Sequence, residues 1–277
     1  MIKLRRDICL GTLDRLSTES TGYHASMEGR LGLLQAHGYN GVVAWGDWEA
    51  IGRAGLTAIG MARVVEPADA EKTAHQQQHA GVQFTTLHVG TGFESDEEMA
   101  RLGEAVLEAS AATGHPMHIE THRGTMTQDI KRTLDLVERF PELPFTLDFS
   151  HWYTGHEMTY GGEFEERLAR LDPFFASVRS IQVRVGDTGR IQRPFDEDAH
   201  YLTDHMSALR RCVESLNQHT DEDTVLSIAP ELLPAKMDDP AGDRWICYAE
   251  LEETSDRFED ALKLSRHIED KLHDLVT

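Results

Sequence analysis

The sequence contains the segment Pro116-Met117-His118-Ile119-Glu120, in which apolar and polar residues alternate up to a terminal carboxylate. Successive side chains of a β-strand point to opposite faces, so a strand here turns Met117 and Ile119 to one side and His118 and Glu120 to the other. Three other segments alternate in the same way and also end on a polar residue: Phe145-Thr146-Leu147-Asp148, Ile181-Gln182-Val183-Arg184 and Leu226-Ser227-Ile228-Ala229-Pro230-Glu231. In a barrel of parallel strands, the apolar sides would face helices and the polar sides the interior.

The number of such strands indicates the fold class. Eight strand candidates are separated by segments with helical periodicity, which predicts an α/β fold, a (β/α)8 TIM barrel formed by residues 1–277 as a single domain. A doubly wound sheet shows the same alternation of elements, but no Gly-x-Gly-x-x-Gly or Walker loop follows an early strand. The predicted strands are at about residues 4–10, 41–45, 57–64, 83–89, 116–121, 144–149, 180–185 and 225–231.

Helix signals lie between several of these strands. Ser95 predicts an N-cap with Glu98 three residues on, and Gly114 follows the end of that helix. Thr127 is expected to cap the next helix, which Pro141 stops. The predicted helices cover residues 24–37, 96–112, 128–140, 162–171, 198–218 and 254–275.

The composition predicts a globular cytoplasmic protein that acts on a small molecule. The 277 residues carry a formal net charge of −21, which opposes binding to nucleic acid and to anionic membranes. No apolar run reaches the roughly 20 residues needed to cross a bilayer, and the basic N-terminus lacks an apolar signal core. Cys9, Cys212 and Cys247 are odd in number and far apart, which indicates reduced thiols that are buried and structural rather than catalytic.

The polar strand ends define a candidate site. Active sites of (β/α)8 barrels lie at the C-terminal ends of the strands, where Glu120, Asp148, Gln182 and Glu231 are expected to meet. Buried carboxylates are costly unless they are paired or bind a cation, so their convergence points to a metal site. Plainer interpretations exist for single residues. Glu120 would be a solvated carboxylate on an antiparallel sheet, and Asp148 a helix N-cap or an Asx-turn, although the next clear helix begins well downstream.

Four longer segments contain these motifs: His118-Ile119-Glu120-Thr121-His122-Arg123-Gly124, Leu147-Asp148-Phe149-Ser150-His151-Trp152, Gln182-Val183-Arg184-Val185-Gly186 and Ala229-Pro230-Glu231-Leu232. Together they resemble the xylose-isomerase-like TIM barrels, more narrowly the sugar phosphate isomerase/epimerase family, and the likeness runs over most of the chain. The resemblance implies that Glu120, Asp148 and Glu231 bind one divalent cation, and that His151 lies near it and binds substrate or, in some members, a second ion. Gln182 stands where the family usually has a histidine ligand.

This glutamine affects the expected cofactor. Its amide carbonyl is a hard, neutral oxygen donor, so the ligand set of Glu120, Asp148, Gln182 and Glu231 suits Mn²⁺ or Mg²⁺ better than Zn²⁺ or Co²⁺. The same departure from the family pattern would also fit a relative that has lost its metal and its chemistry.

Five residues are candidates for substrate binding: His151, Arg184, His88, Trp152 and Arg123. Arg184 would point into the barrel mouth and needs an anionic partner, either a site carboxylate or an anionic group of the substrate. The same reasoning applies less strongly to Arg123. His88 ends the fourth strand and would bind substrate or form a hydrogen bond within the mouth. Trp152 would be either a pocket wall or part of the core.

The resemblance and the carboxylates predict a metal-dependent isomerase or epimerase of a small sugar or sugar-like hydroxy-carbonyl compound. Glu120 and Glu231 would flank the reacting carbon, one removing a proton and the other returning it through a metal-stabilised enediolate; a dehydration would begin in the same way. One alternative is a non-catalytic sugar-binding barrel without its metal. Another is an endonuclease-like phosphodiesterase, in which Asp198-Ala199-His200 would supply zinc ligands, although this triplet resembles the first turn of a helix. Family analogy suggests a homodimer or a tetramer.

Overall fold

The computed structural model describes residues 2–220, 224–237, 244–245 and 253–277. Within these residues eight parallel strands follow one another around a closed barrel, which confirms the predicted (β/α)8 TIM barrel. The barrel strands are β1 Lys3–Cys9, β2 Gly41–Ala44, β3 Thr57–Val64, β4 Thr85–Val89, β5 Met117–Glu120, β6 Phe145–Asp148, β7 Val178–Val183 and β8 Val225–Pro230. A separate antiparallel pair is formed by β9 Lys236–Met237 and β10 Arg244–Trp245.

Helices lie between most successive strands of the barrel. In the described part of the chain they are α1 Met27–Ala36, α2 Trp48–Arg53, α3 Pro67–His79, α4 Asp96–Thr113, α5 Ile130–Arg139, α6 Phe149–Gly155, α7 Phe164–Ala169, α8 Asp172–Phe175, α9 His200–His219 and α10 Arg257–Leu272. The predicted capping box of α4 is confirmed, because the Ser95 hydroxyl accepts from the backbone N–H of Glu98 while the Glu98 carboxylate accepts from the backbone N–H of Ser95.

Two helix starts differ from the prediction. Asp129 rather than Thr127 is the N-cap of α5, because its carboxylate accepts from the backbone N–H of Arg132. Thr127 lies in the 3-10 turn that precedes α5, and its hydroxyl donates to the backbone carbonyl of Glu120 instead. The expectation that no helix closely follows Asp148 was also wrong, because Asp148 is itself the N-cap of α6.

The helices α2, α3, α6 and α8 were not predicted, and burial explains two of these omissions. In α6 the residues Phe149 to Tyr153 are all buried, so the helix shows no amphipathic period. In α3 the buried face includes Thr73 and Gln77, whose polar side chains interrupt the apolar pattern. A helix has no apolar period along the sequence when its buried face carries polar residues or when residues on every face are buried.

The main core lies between the barrel and its helices. The outward faces of β5 and β6 contribute Met117, Ile119, Phe145 and Leu147, each of which is completely buried. These are the residues that the alternation of the two segments assigned to the apolar side. Their polar neighbours accordingly point into the barrel.

Trp152 belongs to this core. Its side chain is completely buried, its ring lies 4.9 Å from the ring of Phe174, and its indole N–H donates to the carbonyl of Thr127 at 2.8 Å. Because packing and the hydrogen bond satisfy the whole indole, nothing of it is left for a ligand. Of the two interpretations of Trp152, pocket wall or core, the structure therefore supports the core.

The strand register brings the polar ends of β5 to β8 to one rim. Asp148 pairs with Gln182 between β6 and β7. Glu120 pairs with the residue two positions before Asp148, and Glu231 follows the last paired residue of β8. The alternation of each strand and the closure of the barrel therefore place four polar side chains on one side of the molecule.

Two predictions made from composition, on membrane-spanning segments and on the cysteines, can be compared with the structure. Among the described residues no helix combines the length and the apolar character needed to cross a membrane. Cys9 and Cys212 are free and buried, as predicted, whereas Cys247 lies outside the described residues.

We predict that Gly186→Ala destabilises the fold. Gly186 follows β7, and a Cβ atom at this position would overlap the backbone carbonyl groups of Arg190 and Ile191. Because backbone cannot swing aside as the end of a side chain can, we expect the free energy of unfolding to fall by about 2 kcal/mol. Urea unfolding of the purified variant measures this change.

Gly32→Ala is the matched control for this prediction. Gly32 is exposed on α1 and has no other atom within 4 Å of a Cβ position, so alanine should raise the free energy of unfolding by roughly 0.5–1 kcal/mol. Equal stabilities for the two variants would contradict the proposed overlap.

Candidate metal centre

A cavity of about 820 Å³ opens at the C-terminal ends of the barrel strands. Its wall includes the side chains of Cys9, Trp45, Arg63, His88, His122, Arg184 and Glu231. Residues from both halves of the barrel therefore line one opening. This is the end of the barrel at which TIM-barrel enzymes have their active sites.

Glu120 ends β5 and is completely buried. Its Oε2 accepts a hydrogen bond from the hydroxyl of Thr86 at 3.1 Å, and its Oε1 lies 3.3 Å from Nε2 of His88. Burial raises the pKa of Glu120, but the charge and the hydrogen bond of His88 outweigh burial, so the pKa lies below its ordinary value. Glu120 is therefore an ionised carboxylate in an enclosed position.

Asp148 ends β6 with one oxygen satisfied by protein donors. Its Oδ1 accepts from both the backbone N–H and the hydroxyl of Ser150. Its Oδ2 accepts no hydrogen bond from the described residues, and lies 3.4 Å from Nε2 of His151 and 3.7 Å from Nη2 of Arg184. A buried carboxylate oxygen of this kind is an available ligand for a cation.

His151 lies in the first turns of α6 and is buried. Burial of the ring, and next the charge of Arg184, hold the pKa of His151 well below its usual value; Arg123 contributes in the same direction. His151 is therefore a neutral imidazole, which is the form that binds metals. The predicted residue Arg123 itself is only half-buried in the loop after β5.

Gln182 is buried and its amide group faces the carboxylate of Glu120. With the amide nitrogen turned toward Glu120, it donates to both carboxylate oxygens, at 3.2 and 3.0 Å. The reverse orientation would place the amide oxygen against those oxygens, which is favourable only when a cation lies between them. Gln182 can therefore either hold Glu120 through hydrogen bonds or join it as a ligand.

Arg184 and Glu231 form a buried ion pair. Nη2 of Arg184 lies 2.7 Å from Oε2 of Glu231, and its Nε donates to the Glu231 carbonyl at 3.1 Å. The thiol of Cys9 donates to Oε1 of Glu231 at 3.6 Å. Burial raises the pKa of Glu231 above its usual value, and although Arg184 opposes this, the charges of Glu120 and Asp148 add to it. Arg184 was expected to pair with a site carboxylate or with an anionic group of the substrate, and in the structure it pairs with a site carboxylate, Glu231.

Two groups of side chains among the described residues have ligand atoms that all lie within 4.8 Å of one another, and they share Glu120. The groups are Glu120 with Asp148 and His151, and His88 with Glu120 and His122. The predicted ligands Glu120 and Asp148 are therefore brought together, and Gln182 lies against Glu120. Glu231 is in neither group, and its carboxylate pairs with Arg184.

The first group fits a divalent cation. It offers two buried carboxylates and one neutral imidazole, and Asp148 Oδ2 has no hydrogen-bond donor of its own in the described part of the chain. Serine donors orient the other oxygen of Asp148, as the partners of metal ligands commonly do.

His122 is the site residue that sequence reasoning missed. It was not among the predicted site residues, but its ring stacks on that of His88 at 4.3 Å and lies 4.0 Å from the ring of His151. A signal was present, since His122 is two residues after Glu120 and would share its face if the strand continued. Asp198 and His200, in contrast, are exposed at the start of α9 and belong to neither ligand group.

No protein-family model matches this chain, and no curated protein matches it by sequence. Solved structures do match. A sugar phosphate isomerase/epimerase from Parabacteroides distasonis has a TM-score of 0.60 at 11% identity, covering 100% of this chain and 96% of that one. A xylose isomerase-like TIM barrel protein from Mycobacterium smegmatis, solved with magnesium, has a TM-score of 0.57 at 10% identity, covering 100% and 98%.

Endonuclease IV from Thermus thermophilus is also similar, with a TM-score of 0.53 at 14% identity over 97% of this chain and 99% of that one. At these identities the likeness establishes the fold and not the reaction. The chain therefore has the fold of the xylose-isomerase-like TIM barrels.

We predict that Ser150→Ala weakens metal binding. Loss of the hydroxyl removes one of the two donors that orient Asp148, and the loss of such a supporting group typically lowers metal affinity about 10–100-fold. Calorimetric titration of the metal-free protein with Mn²⁺ measures the effect. Ser110→Ala on α4 also removes one hydroxyl donor, to the carbonyl of His115, and should leave Mn²⁺ affinity unchanged. Equal affinities in both variants would refute a ligand role for Asp148.

Proposed function

We propose that this chain is a metal-dependent isomerase or epimerase of a small sugar-like hydroxy-carbonyl compound. The observation that carries the proposal is the convergence of Glu120, Asp148 and His151 beside a cavity lined by Glu231. Gln182 would complete the ligand set through its amide oxygen, which favours Mn²⁺ or Mg²⁺. A divalent cation held by these residues would polarise a carbonyl group and stabilise the negative charge of an enediolate.

Glu231 is the residue that we propose to move the proton. Its carboxylate lines the cavity, and Arg184 and Cys9 fix the positions of its two oxygens. Its raised pKa brings the carboxyl closer to the range in which a group can both accept and donate a proton. Glu120 was predicted to share this role, but it is completely buried and held by Thr86, which suits a ligand better than a proton carrier.

The opposite wall of the cavity supplies surfaces for the rest of the substrate. Trp45 is 55% exposed and packs edge-on against His88, so it offers a flat apolar surface to the C–H face of a sugar. Arg63 lines the same wall and is exposed, which suits a hydroxyl or an anionic group. The cavity is large enough for a small sugar, which fits the proposed substrate class.

The two alternative functions, a sugar-binding barrel and a phosphodiesterase, predict different results in metal-binding and DNA-cleavage assays. The amide of Gln182 faces the carboxylate of Glu120, and with its nitrogen turned toward that carboxylate it would hold Glu120 without a metal, which favours a sugar-binding barrel. A net charge of −21 and the exposed positions of Asp198 and His200 weigh against cleavage of nucleic acid. Binding of Mn²⁺ and nicking of an abasic duplex distinguish these two functions from an isomerase.

The sharpest test of the proposal is hydrogen exchange at the carbon beside the carbonyl. The Mn²⁺-loaded protein is incubated in deuterium oxide with a panel of aldoses, ketoses and their phosphates, and the C–H signals are followed by proton NMR. We expect one substrate class to lose the signal of the carbon next to its carbonyl, because enolisation precedes both isomerisation and epimerisation. Metal binding without exchange in any compound would refute the proposed reaction, and absence of metal binding would favour the sugar-binding barrel.

We predict that Glu231→Gln lowers the exchange rate roughly 10³-fold, the usual scale for loss of a general acid or base. Mn²⁺ affinity should be unchanged, because Glu231 lies outside the ligand groups. Glu165→Gln, an exposed change on α7, is the control and should affect neither quantity. If Glu231→Gln loses Mn²⁺ instead, Glu231 is a metal ligand, as the sequence resemblance implied.

A further inference from the structure

The cavity wall contains an arginine, Arg63, that forms no ion pair with the described residues. It lies near the end of β3, is exposed and lines the cavity of about 820 Å³. We propose that Arg63 binds a carboxylate group at the far end of the substrate, so that the sugar-like compound is a sugar acid. This inference rests on the proposed function, because the same substrate would present its carbonyl group to the candidate metal centre.

Arg63 differs from the other arginines of the cavity in its partners. Within the described part of the chain its one hydrogen bond runs from Nη2 to the carbonyl of Gly90, at 3.3 Å. A guanidinium group has five N–H donors, so most of those of Arg63 are available to a ligand. The other two arginines of the wall each pair with a carboxylate there, namely Arg30 with Asp14 at 3.1 Å and Arg184 with Glu231 at 2.7 Å.

A plainer role for Arg63 would be to hold the turn after β4 through its contact with Gly90. That turn has shorter hydrogen bonds of its own. The Glu94 carboxylate accepts from the backbone N–H of Thr91 at 2.6 Å and from that of Gly92 at 2.8 Å. The turn is therefore a fixed support, and the contact with Gly90 orients the guanidinium of Arg63 at the cavity wall.

The strand register sets the position of Arg63 relative to the candidate metal centre. Arg63 on β3 pairs with His88 on β4. The strands β4 and β5 pair through Leu87 and Ile119, so the residues that follow these two, His88 and Glu120, are also level. Neighbouring strands lie about 4.8 Å apart, so the backbones at Arg63 and Glu120 are separated by about 10 Å along the rim. A substrate with its carbonyl group beside Glu120 would meet Arg63 with the opposite end of its carbon chain.

The charges of the cavity favour a carboxylate over a phosphate. Asp47 also lines the cavity and is exposed after β2, and no lysine is among the described lining residues. Because Arg30 and Arg184 are paired, Arg63 faces an incoming anion as a single positive charge. A phosphate ester carries about −1.5 to −2 at pH 7, whereas a carboxylate carries one negative charge and fits the planar fork of an arginine. A net charge of −21 further disfavours the doubly charged group.

These observations define a substrate class. The compound has a hydroxy-carbonyl group at one end and a carboxylate at the other. Uronic acids and keto-aldonic acids combine both groups on one carbon chain. Neutral sugars lack the anion that Arg63 would bind, and sugar phosphates carry more negative charge than this wall can balance.

The test compares matched compounds for binding. The Mn²⁺-loaded protein is titrated calorimetrically with a panel of uronic and keto-aldonic acids, and with the neutral sugar and the terminal phosphate ester that correspond to each acid. We expect one acid to bind more tightly than both of its counterparts. Arg63→Gln should weaken binding of this acid about 10–100-fold, the usual scale for hydrogen bonds to a charged group, and leave the affinity for the neutral sugar unchanged. Arg63→Lys keeps the charge without the fork and should restore part of the affinity.

Arg266→Gln is the matched control. It removes an exposed arginine of α10 that does not line the cavity, and it should change no affinity. Three results would each overturn the inference: equal affinities for an acid and its neutral counterpart, an acid affinity that Arg63→Gln leaves unchanged, and tighter binding of a phosphate ester than of the acid.

Deuterium exchange on the same panel separates this inference from the proposed function. Exchange in neutral sugars or sugar phosphates, without exchange in any acid, would overturn the sugar-acid substrate and leave the proposed function standing. Acid binding that depends on Arg63, without exchange in any compound, would refute the proposed reaction and retain the carboxylate site.

Discussion

Buried negative charge at the rim of the barrel is the constraint on which the rest of the site depends. Glu120 and Asp148 are completely buried and Glu231 is 6% exposed, and the guanidinium of Arg184 lies 2.7 Å from Glu231 and 3.7 Å from Asp148. Carboxylates in such positions are tolerated only when they are paired and hydrogen-bonded, and removal of one partner typically costs roughly 3–5 kcal/mol. The structure must therefore supply positive charge or donors at the same rim.

Different residues lie against each of these buried negative charges. Arg184 neutralises Glu231 through a direct contact and lies farther from Asp148, whereas Nε2 of His88 lies 3.3 Å from Glu120. Asp148 is thus the carboxylate with the weakest protein partner. A cation bound there would balance the charge of Asp148 without breaking the pair of Arg184 and Glu231, so Glu231 would keep its place at the cavity wall for the proposed proton transfer.

The sequence predicted the barrel and the carboxylates because both depend on the alternation of side chains along single strands. Met117 and Ile119 are apolar, so Glu120 had to point inward, and the same argument placed Asp148. Periodicity predicts less for elements that are buried on every side. The helix α6 is such an element, so neither this helix nor the burial of Trp152 was predicted. His122 was missed because its role comes from stacking between rings on two other elements.

By itself, therefore, the sequence determined the fold class and which strands carry a polar residue at the rim, because both depend on a period of two within a local segment. Only the tertiary structure decided which of these residues lie against one another. Closure of the barrel places Arg184 against Glu231 and leaves Asp148 facing His151, and neither distance can be obtained from spacing along the chain. The reason is physical: partners on different strands are set by register and packing, which involve the whole barrel at once.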